Sequence, residues 1–220
     1  MAALLLLGTV APTNADIFVG VDPGAAWIGY MNVFELPANG GGYVFGNPWG
    51  TADLNATFSG GVLTLTPNTS ISRDVALSDT FWWQADGSGN KTMDANMYVQ
   101  DDTLAGQNLT FSGQVLANTL VSPYTATIFI KDFASDYSSF TSVTAPVAAG
   151  AFNLTLATAV GDHIQYGFET IGPNARLDEV AGLGFAQIVA VPEPSVSVLL
   201  VGSMAGWLAR RRGRRNSSRN

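Results

Sequence analysis

An all-β domain, folded as an antiparallel two-sheet jelly-roll sandwich, is the architecture this sequence predicts. Apolar and polar residues alternate in short runs, and clusters of Gly, Asn, Asp and Pro punctuate them. No long stretch shows the 3.6-residue apolar period of a helix. Of the 220 residues, 1–15 are expected to form a signal peptide, 16–190 the sandwich, and 191–220 a C-terminal segment with a single transmembrane helix.

In chain order, Ala2 to Val10 is apolar, and Thr13-Asn14-Ala15 fits the small-x-Ala pattern of signal-peptide cleavage, so cleavage is expected after Ala15. No Lys or Arg precedes the run, as it would if the true start lay upstream of Met1. Strands are then expected over 28–34, 55–58, 62–66, 108–115, 125–132, 152–158, 163–169 and 184–190. Turn clusters separate them, among them Asn39-Gly40-Gly41-Gly42, Gly60-Gly61, Asp86-Gly87-Ser88-Gly89-Asn90 and Gly172-Pro173-Asn174. Threonine-rich runs such as Leu63-Thr64-Leu65-Thr66 and Leu154-Thr155-Leu156 suit sheets with one wet face. A two-sheet sandwich or jelly roll follows.

At the far end, Val191-Pro192-Glu193-Pro194 precedes a charge-free run from Ser195 to Ala209, and Arg210-Arg211-Arg212-Gly213-Arg214-Arg215 follows it. The prolines break regular structure and leave an accessible hinge. As a helix the run would be about 22 Å long, somewhat short of a hydrocarbon core about 30 Å thick, with Trp207 and snorkelling arginines making up part of the difference. Arginine clustering keeps the C-terminus on the cytoplasmic side and the bulk of the chain outside. The three-part order of hinge, apolar run and arginine stop resembles the PEP-CTERM sorting signal of Gram-negative bacteria, with Pro192, Glu193 and Pro194 at the motif and the cluster at Arg210, Arg211 and Arg212 as the stop. The resemblance implies recognition by an exosortase-type membrane protease. It implies inner-membrane anchoring before processing and then a place in the envelope, on the surface or in the extracellular matrix. It also implies a link to extracellular polysaccharide.

A second resemblance lies in the domain. The runs Leu104 to Gly113, Ala126 to Phe133, Gly150 to Leu156 and Ile164 to Glu169 resemble the strand order of carbohydrate-binding jelly rolls with galactose-binding-like architecture, over roughly residues 92 to 190. Phrases of this kind are set largely by turns and core, so the resemblance implies fold more than ligand.

Charge narrows the partners. Outside the tail, sixteen acids face only Arg73, Lys91, Lys131 and Arg176, a net of about −12. That argues against nucleic acid and anionic membrane as ligands of the domain. With no cysteine there are no disulfide staples, so the core must suffice. No cofactor is expected, although Asp101-Asp102 and the stretch from Asp132 to Asp136 could hold a structural calcium.

Catalytic motifs are missing. There is no P-loop and no Gly-x-Ser-x-Gly elbow, and the one histidine, His163, has no nucleophile motif to serve. Glu35, Glu169 and Glu179 are the candidates for a glycosidase carboxylate pair, but their spacing assigns none of them. The better lead is aromatic. Adjacent Trp82 and Trp83 would point to opposite faces of a strand, leaving one as a stacking platform for a sugar ring, with Trp27 and Trp49 as further candidates. The alternative is that both close the sandwich ends. The function expected is a non-enzymatic, surface-sorted domain that binds extracellular polysaccharide. The alternatives are a matrix or envelope component without a specific ligand, and a glycoside hydrolase or lyase on the same fold.

Overall fold

A computed structural model of the chain describes residues 15–191, which comprise twelve strands in two sheets. The signal-peptide run, the Pro192-Glu193-Pro194 motif, the expected helix over 195–209 and the arginine stop lie outside the described residues; among the described residues no helix is long and apolar enough to cross a membrane. Sheet I contains β1 (Asp16–Gly20), β4 (Ala56–Ser59), β5 (Val62–Leu65), β7 (Asn108–Asn118), β10 (Gly150–Ala157) and β12 (Ala186–Val189). Sheet II contains β2 (Ile28–Glu35), β3 (Tyr43–Trp49), β6 (Lys91–Gln100), β8 (Thr125–Phe133), β9 (Phe140–Pro146) and β11 (His163–Pro173), in the order β3-β2-β6-β11-β8-β9. The helices α1 (Ser70–Asp74) and α2 (Val180–Leu183) are single turns in connections.

All eight expected strands are present. Four others were not expected: β1, β3, β9 and β6, the last of these central in sheet II. Residues 93–100 of β6 alternate strictly, Met-Asp-Ala-Asn-Met-Tyr-Val-Gln, yet Met, Ala, Asp and Asn are weak strand formers, so the period was present without the composition. The pairing is antiparallel throughout except for one parallel pair, β1 on β7, which corrects the purely antiparallel expectation. Its cause lies in the edge of β7. Strand β10 covers one edge of β7 from Asn108 to Val115, while the short β12 reaches only Gln114 to Asn118 on the other. Strand β1 fills the remaining stretch, Asn108 to Ser112, and gives those backbone groups partners.

The sheets pack face to face. From sheet I come Leu63, Leu65, Leu109, Phe111, Val115, Leu154 and Ile188; from sheet II come Met31, Val33, Met93, Met97, Ile128, Ile130, Ile164 and Phe168, all buried in one cluster. Phe111 joins the layers, with its ring 5.1 Å from Tyr166 and 5.5 Å from Phe168 across the interface, and 5.4 Å from Phe152 on its own sheet. The segment 75–90 closes one end. Asn174 holds it there by donating from Nδ2 to the Trp82 carbonyl (3.0 Å) and by accepting the Lys91 backbone N–H at Oδ1 (3.0 Å).

Phe111→Ala should lower stability by about 3–5 kcal/mol, because it leaves a cavity between the layers that neither sheet can close. Urea unfolding of the variant against the parent checks this, and a loss under about 1 kcal/mol would place the inter-sheet contact elsewhere.

Candidate functional site

The four candidate tryptophans do not form an exposed platform. Trp83 is 1% exposed and packs in the core, with its Nε1 unpartnered. It lies in no regular strand and makes a single bridge to Gly89, so the opposite-faces expectation for Trp82 and Trp83 has no strand to act on. Trp82 is half-buried, edge-on to Phe45 and Phe81. Trp27 stacks on Phe168 at 6.2 Å and donates its Nε1–H to the Asp22 carbonyl. Trp49 is half-buried beside a cavity of about 370 Å³ that Pro48, Asp53, Ser70 and Asp74 also line. Trp27, Trp49 and Trp82 pack against the core and Trp83 lies within it, so their rings serve as apolar area.

The outer face of sheet II is where polar and aromatic groups converge instead. Inward positions take Met31, Val33, Met93, Ala95 and Met97, so period 2 turns Tyr30, Asn32, Asp94, Asn96, Tyr98 and Gln100 outward. From β11 come Gln165 and Glu169, and from β8 Phe129 and Lys131, all aligned by register: Asn32 beside Asp94, Asn96 beside Glu169, and Gln165 between Gln100 and Lys131. Two hydrogen-bonded groups lie along one strip. Asn32 Nδ2 donates to Asp94 Oδ2 (3.2 Å), Asn96 Nδ2 to Asp94 Oδ1 (2.6 Å), and Lys131 Nζ to Asn96 Oδ1 (2.8 Å). Lys131 also sits 3.5 Å from Glu169 Oε1 and 4.1 Å above the Phe129 ring. Gln165 donates to Gln100, which donates to the Tyr137 hydroxyl (3.0 Å).

Aromatic corners end the strip. At one, Tyr43, 61% exposed, meets Phe34 edge-on at 5.5 Å. Gly46 makes room there, since a Cβ at that position would fall within 3 Å of the Asn32 carboxamide, the Tyr43 hydroxyl and the Tyr30 ring. At the other, Tyr137, 51% exposed, lies parallel to His163 at 4.3 Å and 9°, and Phe133 packs on Phe140, which is 54% exposed. Between the outermost strands are five inter-strand steps, about 24 Å at about 4.8 Å each. Tyr137 holds a left-handed backbone, φ +57°, a conformation that costs a residue with a Cβ about 1–2 kcal/mol. The turn alone would favour glycine there. The aromatic ring is what the strain secures.

Burial pushes the Asp94 carboxyl up to about 7, and the Glu169 carboxylate beside it adds to the rise. Asp94 therefore keeps its proton up to near neutrality. Of the other candidate acids, Glu35 pairs with Lys91 at 3.0 Å and Glu179 lies 3.7 Å from Arg176. His163 bonds Asp102 at 2.7 Å, and that contact raises its imidazole above the usual range. Asp101 caps a turn at Thr103, and Asp136 does so at Ser138. Among the described residues no three His, Cys, Asp or Glu side chains converge as a metal cluster.

The strip escaped the sequence reading because Asp94 and Asn96 lie on the unrecognised β6, and Tyr137 in a turn whose conformation favours glycine. The alternation of 93–100 was the signal that could have placed them. Comparison of the chain with protein-family models, with curated proteins and with solved structures finds no match.

Asp94 binds a proton more tightly folded than unfolded, so its contribution to stability is full below about pH 4 and is lost as pH rises towards 7. The loss should approach about 1.4 kcal/mol per pH unit at its steepest, with Glu169 and Lys131 the charged groups facing the site. Asp94→Asn, which mimics the protonated form, should flatten the curve and exceed the parent in urea midpoint at pH 8. A parent curve already flat between pH 4 and 7 would refute the raised Asp94 carboxyl.

Proposed function

We propose that the chain is an exported, envelope-sorted and non-enzymatic jelly-roll domain that binds extracellular polysaccharide across the outer face of sheet II. The observation that carries this reading is Tyr137, a half-exposed ring held in a strained backbone at the end of a strip of amides, acids and one lysine. Aromatic faces stack on the apolar faces of sugar rings, and the half-buried carboxamides of Asn32 and Gln100 offer donors and acceptors to hydroxyls, with the buried Asn96 and Gln165 holding their neighbours in place. A strip about 24 Å long suits an extended oligosaccharide more than a single sugar. The acidic surface of the domain favours a neutral polymer over an anionic one. The tail supports the location: Pro192-Glu193-Pro194, the apolar run and Arg210 to Arg212 resemble a sorting signal read by an exosortase-type protease.

Stacking on one ring contributes about 0.5–1.5 kcal/mol. Tyr137→Gly in the full-length chain should therefore weaken binding to the host's own matrix polysaccharide up to about tenfold, while the unfolding midpoint stays close to the parent's because glycine relieves the left-handed strain. Tyr43→Ala should weaken binding similarly, and Trp83→Ala should lower stability without a selective loss. Undiminished binding in both tyrosine variants would eliminate this face as the site. A parent that binds no glycan in a broad array would favour a structural matrix protein. Replacing Pro192 and Glu193 with alanine should leave the chain in the inner membrane; normal processing of that variant would discard the sorting reading.

A further inference from the structure

At the corner of the sandwich below His163, one carboxylate oxygen is buried with nothing to bond. Asp132, near the end of β8, points inward and is only 4% exposed. Its Oδ2 accepts the Ala159 backbone N–H at 2.8 Å, but its Oδ1 has no partner. Asp162, at the turn between β10 and β11, stands two residues before the Ile164 that pairs with Asp132, so it is the diagonal neighbour of Asp132 on the same face; burial, and after it the Asp162 charge, push the Asp132 carboxyl up. Neither acid has a Lys, Arg or His within ion-pair distance among the described residues: the histidine next door bonds Asp102 and the Ser135 carbonyl instead. Two facing carboxylates without a countercharge, one of them enclosed by protein, call for a positive partner.

We propose that Asp132 and Asp162 form a divalent-cation site of the calcium class, which clamps the turn after β10 to the end of β8. Thr158 Oγ1 lies 2.7 Å from the Leu104 carbonyl and 3.0 Å from the Gln107 carbonyl, its one proton serving both, which ties the 104–107 turn to the segment whose Ala159 N–H bonds Asp132. The Ala159 carbonyl already accepts the Gly106 N–H at 3.0 Å. Carboxylates, loop carbonyls and water are the ligands calcium takes, and no sulfur or free imidazole competes for a softer metal. With two carboxylates the affinity belongs to the weak class of extracellular modules, about 10⁻⁴–10⁻³ M. The site pairs Asp132 with Asp162 across two turns, not with its neighbour Asp136, which caps Ser138. It is independent of the polysaccharide face, whose strip uses neither acid.

The test is the unfolding midpoint of the chelator-washed, full-length chain, titrated with calcium chloride to about 10 mM, ten times the weak end of that range. The parent should rise by several degrees at saturation. Asp162→Asn, on a turn where it leaves the core intact, should need at least tenfold more calcium for the same rise, and Asp132→Asn should show none. No rise in the parent would overturn the proposal, as would a rise that both variants retain. A parent that calcium leaves unchanged but that gains stability on acidification, with Asp132→Asn reproducing the gain at neutral pH, would assign the orphan oxygen to a proton shared with Asp162 instead.

Discussion

The contact between Phe111 and the pair Tyr166 and Phe168 is the constraint on which the two sheets depend. Neither sheet has an apolar face that could stay wet, and both send their largest rings to the same point. That point is fixed because β7, which carries Phe111, is the most heavily paired strand of sheet I: β10 lies on one edge, with β1 and β12 end to end on the other. The first and last described strands are therefore both committed to the strand at the centre of the core. Gly113 makes the junction feasible, since a Cβ there would meet the Phe152 ring and Val21 at under 3 Å.

With the inner faces consumed by the core, the outer faces divide the remaining roles. Sheet I turns out short polar residues, such as Thr110 and Thr155, whose hydroxyls bond each other at 2.8 Å. Sheet II turns out long polar and aromatic side chains that bury one another. Phe129 is an outward residue and yet fully buried, beneath the ammonium of Lys131. A buried polar strip of this kind is costly unless its members are paired, and here Asn32, Asn96 and Lys131 partner the oxygens of Asp94 and Glu169. What the strip gains is rigidity. Side chains already fixed by each other lose little freedom when a ligand is bound.

Strain marks the same face. Tyr137 is one of two non-glycine residues with positive φ among those described, and the other, Asn55, is of the type that tolerates it. The tyrosine is held by its stacking on His163 and by the hydrogen bond from Gln100. Its neighbours therefore offset the backbone cost, which is the arrangement expected where a side chain matters more than the turn that carries it.

Much of the fold was legible because it is written in period 2. The runs at 28–34, 108–115 and 163–169 alternate with β-branched and aromatic residues, so both pattern and composition pointed one way. The run in β6 alternates equally well, but Met, Ala, Asp and Asn speak against a strand until the polar ones acquire partners from β2, β8 and β11. The tryptophans were legible as large aromatics and not as buried ones, because burial depends on what the segment 75–90 is laid against, and Asn174, far along the chain, decides that. By itself, then, the sequence determined the all-β class, most strand positions, the acidic balance and the order of the tail, since all of these are local patterns or sums over residues. Only the tertiary structure decided which face carries the polar strip, that Asp94 meets Glu169 and Asp132 meets Asp162, and that Tyr137 rather than a tryptophan is displayed, because each rests on a register between strands distant in the chain.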